Sequence, residues 1–289
     1  MSFIEVSTIK RDISRHELFS TFVSVKSLEE KWESFPPCVL IKETVPNLRN
    51  IRNFKVHSDD VFLCGYPRSG ATIIQEIIWL ILNDFDFEKA KNVLADERFP
   101  ILESLKDTNI FHDGKVIIYT DELHRPRTIK THLPVQFLPD DIYVKKPKII
   151  YLKRNVKDVA ISAYHHIVDD LHSYTKLQEF LQDFLDDKIV YTPYREHLVN
   201  FENIPNYENI LEIEYEWMME NIDGTIKKVA EFLGKEINET NFEILKNFIE
   251  ESNKVRQLKT KRCEMPPEFL EKFENFIKNA ADVKSEFSK

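Results

Sequence analysis

The sequence predicts an α/β fold: a single domain whose central parallel sheet is flanked by helices. Three observations carry this. Short apolar runs recur along the chain with helical segments between them. One run leads through a glycine-bearing loop into a long apolar helix, a P-loop-like phosphate-binding strand-loop-helix unit. No Pro/Gly/Ser linker, internal repeat or low-complexity tract divides the 289 residues, so residues 1–289 read as one unit. Strands alternating with helices bury both faces of a sheet, and the right-handed crossover preference makes the result a doubly wound layer fold.

The first 55 or so residues read as helix and loop, broken at Pro36-Pro37, forming an extension packed on the domain. Val61-Phe62-Leu63-Cys64 is a short apolar run with Asp59-Asp60 before it and Gly65 after it, which suits a buried strand. From Thr72 to Asn83 apolar residues fall at 73, 74, 77, 78, 80, 81 and 82, a helix covered on most faces. Arg127 to His132 is a second strand, ended by Leu133-Pro134. Lys148 to Leu152 is a third, followed by Arg154-Asn155 and a helix from Val156 to His166. Ile210 to Tyr215 is a fourth. The helix after it, Thr225 to Leu233, has Asp223 near its start and Gly234 in the stop position.

Charge narrows the function classes. The chain carries 40 basic and 49 acidic residues, a net −9, which disfavours nucleic acid as a general partner. An anionic ligand must therefore meet a local cluster of positive groups. The three cysteines, Cys38, Cys64 and Cys263, are odd in number and far apart, against a disulfide framework or a zinc site. Residues 1–19 lack the apolar stretch of a secretory signal. Ile77 to Leu82, six residues, falls well short of the roughly 20 needed to span a bilayer. The expectation is a cytoplasmic protein with no membrane contact.

Of only five glycines in the chain, Gly65 and Gly70 share one short stretch. Cys64 to Thr72 has Gly-x-x-x-x-Gly spacing followed by x-Thr, between a strand and a helix. Such a loop aims backbone N–H groups at an anion, and the helix N-terminus adds partial positive charge. A nucleoside-triphosphate loop needs Lys where Ala71 stands, and the third strand ends in Lys153-Arg154 without an Asp for magnesium. Phosphoryl transfer is disfavoured on both counts.

A second basic cluster, 144–158, holds Lys145, Lys146, Lys148, Lys153, Arg154 and Lys157. Arg154 follows a strand at its carboxyl end, where α/β sheets bind ligands. Ser162 lies eight residues on, about two helical turns and so on roughly the same side of that helix, where an arginine and a hydroxyl could converge on one phosphate. The lysines at 145 to 148 suit a solvated face. His132 ends a strand and has the right basicity to take a proton from a hydroxyl near neutral pH. Lys130, two residues back, points to the same side and can neutralise charge on a leaving group.

Together these segments resemble the cytosolic sulfotransferase family. Tyr66 to Thr72 is similar to its loop written YPKSGTTW, Ile129 to Pro134 to its KTHLP, and Tyr151 to His166 to its YxxRNxKDVxVSxYHF. Fainter similarity covers nearly the whole chain. The resemblance implies transfer of a sulfuryl group from 3′-phosphoadenosine 5′-phosphosulfate (PAPS) to a hydroxyl or amine of a small, apolar acceptor, leaving 3′,5′-ADP (PAP), without a metal. By position, His132 is then the general base. Arg68 and Lys130 stabilise the bridging oxygen, and Ser69, Gly70, Ala71 and Thr72 cradle the 5′-phosphosulfate. Arg154 and Ser162 hold the 3′-phosphate, and Tyr215 reaches the adenine. Departures are specific. Arg68 replaces the loop lysine, Ala71 a threonine and Ile73 the tryptophan that stacks on adenine, and a second stacking phenylalanine falls near Asn253. The C-terminal RKGxxGDWK segment is shortened at Phe276 to Lys284, where Lys278 keeps one cation and no glycine remains. The resemblance places a dimerisation segment of many relatives just beyond Lys289, so a natural end there would imply a monomer or a non-standard dimer. The departures also keep open a weak or inactive protein of this fold that binds a small ligand.

Overall fold

The computed structural model describes residues 3–10, 21–27, 29, 32–104, 120–171, 176–202, 204, 207–259 and 263–276. Two sheets form. β1 (Phe3–Lys10), β2 (Thr21–Ser27) and β3 (Cys38–Ile41) make an antiparallel sheet in that order. β4 (Val61–Gly65), β5 (Thr128–Thr131), β6 (Lys148–Lys153) and β7 (Ile210–Glu214) make a parallel sheet ordered β5-β4-β6-β7. All four parallel strands coincide with the predicted runs to within a residue or two.

The parallel strands alternate between two cores, as a period of two requires. Phe62, Cys64, Ile129, Ile149 and Tyr151 face one, together with Val23, Val25 and Leu40 of the antiparallel sheet. Val61, Leu63, Ile150, Leu152 and Ile213 face the other. There they pack under the Ala71–Leu82 helix, the Ile222–Leu233 helix and the Glu239–Lys259 helix. A third cluster joins the Val156–Leu171 and Leu177–Leu185 helices through Val159, Ala160, Phe180 and Phe184. Below the sheet, Arg127 and Asp60, both buried, pair through Nε–Oδ1 at 2.9 Å and Nη2–Oδ2 at 2.6 Å. The pair locks the starts of β4 and β5 together.

The N-terminal extension corrects the sequence reading: it is principally a sheet, with a 3₁₀ turn and the Leu48–Arg52 helix after it. The reason lies in its composition. Phe3–Lys10 and Thr21–Ser27 are rich in β-branched residues, and Val23 and Val25 alternate with Ser24 and Lys26. The sheet continues past β3, because Val39 N–H donates to Thr192 O (2.9 Å) and Tyr191 N–H donates to Val39 O (2.6 Å). The helix expected from Thr225 starts three residues earlier, at Ile222. Asn221, not Asp223, caps it by accepting from Gly224 N–H at 2.9 Å.

Candidate functional site

From β4 the chain crosses to β5 on one side, then returns past β4 to β6 on the other. Reversal of direction opens a crevice at the carboxyl ends of β4 and β6, the switch point where doubly wound sheets bind ligands. The loop after β4 and Arg154 after β6 both sit there.

Two glycines shape the loop. A Cβ on Gly65 would lie 3.0 Å from Leu152 O, so the bare backbone lets β4 and β6 stay close. Gly70 has φ +99° and precedes the Ala71–Leu82 helix without any side-chain cap. The first N–H groups of that helix have no intrahelical acceptor, and Ile73 N–H closes onto Gly70 O at 3.2 Å. Beside them the Ser69 hydroxyl is buried and has no hydrogen-bond partner among the described residues. A buried hydroxyl left so calls for a ligand or a water. Uncapped N–H groups and this hydroxyl fit a phosphate or sulfate group.

Tyr215, first residue of the Tyr215–Glu220 helix, lies against Gly70. A Cβ there would run into ring atom Cδ2 and come within 2.8 Å of Cε2. Gly70→Ala is therefore expected to destabilise the protein by about 2–3 kcal/mol, from backbone strain and the clash together. Urea unfolding checks this, and a change below about 0.5 kcal/mol would refute the packing argument.

Arg154 links the two sides of the crevice. Buried, it donates from Nη1 to Arg68 O at 2.7 Å and lays its guanidinium 4.1 Å from the centroid of the Tyr215 ring. Tyr194 Oη donates to Arg154 O at 2.7 Å, fixing the backbone. Asn155 Oδ1 accepts from Lys157 N–H at 3.0 Å, starting the Val156–Leu171 helix that carries Ser162. Ser162 is buried, and Arg68 Nε donates to its hydroxyl at 3.1 Å. Arg68 itself is exposed and has φ +73°.

His132 follows β5 on the other side of β4 and is held at three points. Its Nδ1 donates to Gly65 O at 2.7 Å; a carbonyl only accepts, so Nδ1 carries the proton and Nε2 the lone pair. Its N–H donates to Glu103 Oε1 at 2.6 Å, and Thr131 Oγ donates to Glu103 Oε2 at 2.8 Å. Its carbonyl accepts from His197 Nε2 at 3.0 Å, while Tyr151 Oη donates to His197 Nδ1 at 3.0 Å. Burial, then the positive charge of Lys130, hold the His132 pKa down at about 3, with Arg68 adding a smaller push. The imidazole is neutral at physiological pH. Burial raises Glu103 above the ordinary carboxylate range and lowers His197 to about 4. Tyr191 sets its ring edge on His132, centroids 5.9 Å apart.

Glu103, His197 and Tyr191 escape sequence reasoning. They lie 29, 65 and 59 residues from His132, and no local spacing announces them. Lys130 sits on β5, its backbone bonded to Pro100 O (2.9 Å) and Leu102 N (2.8 Å). Of the basic cluster, Lys153 pairs with Glu202 at 2.7 Å and with Glu212. Lys157 pairs with Glu274 at 3.1 Å, and Lys148 donates to Phe232 O at 2.6 Å. Lys145 and Lys146 are exposed. Arg154 is thus the member of that cluster placed in the crevice, and the rest pair with acids, bond a helix-end carbonyl or face water.

Ala71 is half-buried and Thr72 exposed at the helix start, while Ile73 is buried in the core beneath it. Asn253 lines a cleft of about 550 Å³ with Met219, Asn221, Lys246 and Glu250, separate from the anion loop. Tyr164 packs on Phe180, and His165 Nε2 accepts from Cys263 N–H at 3.1 Å. Both residues are engaged in packing there. Lys278 lies outside the described residues.

A parallel sheet that brings an uncapped glycine loop, two arginines and a neutral histidine to its carboxyl edge is a doubly wound fold with a crevice that suits an anionic group. A family model of the sulfotransferase domain matches residues 58–284. The chain is 36% identical over 221 residues to the luciferin sulfotransferase of Photinus pyralis, covering 71% of this chain and 59% of that protein. It is 34% identical over 219 residues to Sulfotransferase 1E1 of Bos taurus, covering 72% and 73%. It shares its fold with retinol dehydratase, solved with androsterone and the inactive cofactor PAP, at TM-score 0.73 and 22% identity, over 96% of this chain and 97% of that one. The chain belongs to the sulfotransferase family.

Proposed function

We propose that the chain moves the sulfuryl group of PAPS to a hydroxyl or amine of a small, apolar acceptor in the cytoplasm, with His132 as general base. The observation that carries this is the pinned tautomer. With Nδ1–H bonded to Gly65 O, the neutral imidazole keeps the lone pair on Nε2 at the strand end that also bears Lys130. The retinol dehydratase complex supports an apolar acceptor and a PAP-type donor. No helix among the described residues is long and apolar enough to cross a membrane.

PAPS supplies the sulfuryl group and departs as 3′,5′-ADP. The residues present fit it: Ser69, Gly70, Ala71 and Thr72 offer a buried hydroxyl and uncapped N–H groups to the 5′ end. Arg154 and Ser162 hold the 3′ end, with Tyr215 beside the base. Lys130 meets charge developing on the bridging oxygen, and His132 removes the acceptor's proton. Replacement of aromatics by Ile73 and Asn253 weakens base stacking by about 1–3 kcal/mol per ring, so a donor affinity below the family norm is expected.

The test is transfer from sulfur-labelled PAPS to a panel of phenols, sterols, retinoids and amines. Label in an acceptor with stoichiometric 3′,5′-ADP supports the reading. Binding of 3′,5′-ADP without transfer to any of the panel would overturn it in favour of a ligand-binding protein of this fold.

A further inference from the structure

We propose that His197 is a positioning residue for the reaction: through the backbone of His132 it fixes the orientation of that imidazole against the donor crevice. This rests on the general-base reading above and deepens it, by naming a second histidine on which the first depends.

Three strand ends build the crevice, and one imidazole meets a residue from each. β5 and β6 lie on opposite sides of β4 and do not pair with each other. Adjacent strands stand about 4.8 Å apart, so roughly 10 Å separates the two. His197, buried in the Tyr194–Glu202 helix, bridges them. On the β5 side its Nε2 donates to His132 O at 3.0 Å. On the β6 side its Nδ1 accepts from Tyr151 Oη at 3.0 Å. Between them Tyr66, the residue after β4, stands edge-on to the imidazole, centroids 5.6 Å apart and planes at 83°. One turn earlier on the same helix, Tyr194 donates to Arg154 O at 2.7 Å. A single helix thus sets the proposed base and the arginine of the crevice against each other.

The partners place the protons. A carbonyl only accepts, so Nε2 of His197 carries the proton, Nδ1 holds the lone pair and the Tyr151 phenol donates. This is the opposite tautomer to that of His132, whose proton sits on Nδ1. Tyr151 Oη also lies 3.3 Å from His197 O, so the phenol holds both ring and backbone of one residue. Burial keeps the His197 imidazole neutral, its pKa lowered to about 4. With both nitrogens engaged, the ring is locked in one orientation. His132 is then tied at its ring to Gly65 O, at its N–H to Glu103 and at its carbonyl to His197. Loss of the third tie lets the residue pivot on the other two. A displacement of about 1 Å at a reacting atom costs on the order of 100-fold in rate.

The test separates the two nitrogens. In His197→Gln the amide reaches the place of Nε2 and can donate to His132 O. In His197→Asn it reaches only the place of Nδ1, keeping Tyr151 and losing His132. The Asn variant is expected to lower kcat by about 10- to 100-fold, and the Gln variant to recover most of that loss. The difference should fall on kcat and not on the KM for PAPS, because Tyr194 still holds Arg154 in both. Equal kcat in the two variants would overturn the assignment, as would a difference confined to the donor KM. His132→Ala runs beside them. Normal turnover there would remove the general-base reading and this assignment with it, whereas an inactive His132→Ala beside equal Asn and Gln variants would overturn the positioning role alone. Should neither variant fold, the ring nitrogens of wild type labelled with isotopic histidine decide by magnetic resonance. A proton on Nε2 of His197 is expected; a proton on Nδ1 would overturn the assignment, since that tautomer cannot donate to His132 O.

Discussion

Alanine at position 132 should lower turnover by about 10²- to 10⁴-fold while 3′,5′-ADP affinity stays within about twofold of wild type. The imidazole is the group placed to accept a proton, and its contacts run to the scaffold: Gly65 O, Glu103 and His197. Gly65 O lies where β4 enters the loop, while Arg68 O and Gly70 are held farther along by Arg154 and Tyr215, so the donor subsite should survive the change. The pH dependence is a second arm of the same experiment. With burial and Lys130 holding the pKa near 3, His132 sheds its proton far below the ordinary histidine value of about 6.5. The acid limb of kcat/KM for the donor, which reports the free protein, should fall below about pH 5. Turnover retained by the alanine variant would remove His132 from the chemistry.

Arg154→Ala should weaken 3′,5′-ADP binding by about 100-fold, roughly 3 kcal/mol. Three losses combine. A guanidinium leaves the proposed 3′ flank, and the loop loses the donor that holds Arg68 O at 2.7 Å. The Tyr215 ring also loses the cation stacked 4.1 Å above its centroid. Arg154→Lys should recover little, since a point ammonium cannot bond a carbonyl, stack on a ring and fork to a phosphate at once. Calorimetry decides the matter: an unaltered dissociation constant in Arg154→Ala would show that the crevice binds its donor elsewhere.

These two residues were legible in the sequence because each stands at a strand end marked by composition. β4 and β6 are short apolar runs with charged residues on their flanks, and parallel strands buried on both faces always read so. The loop between β4 and its helix carries two of only five glycines. The antiparallel sheet was less legible. Its pairings join Phe22 to Ile41 and Val25 to Cys38 across Pro36-Pro37, and prolines weigh locally toward loop. The alternation of Val23 and Val25 was the available signal. The clamp on His132 had none, because Glu103, His197 and Tyr191 acquire their roles only through contacts made after the chain folds. The lysines around Arg154 show the reverse error: dense in sequence, they scatter to Glu202, Glu212, Glu274 and Phe232 O once side-chain directions are set.

The pairing of Val39 with Tyr191 joins the antiparallel sheet to the segment beside His132. β3 bonds the backbone of Tyr191, whose ring stands 5.9 Å from that of His132, and the same sheet packs Val23, Val25 and Leu40 with Phe62, Cys64 and Tyr151 of the parallel sheet. A register slip of one residue in β3 would turn Val39 to the opposite face and take Leu40 out of the core it shares with Phe62, Cys64 and Tyr151, so it would disturb the Tyr191 ring and the strands beneath it together. The wall beside His132 and the strands that carry the loop after β4 thus share one core, and a strain entering through the antiparallel sheet reaches both.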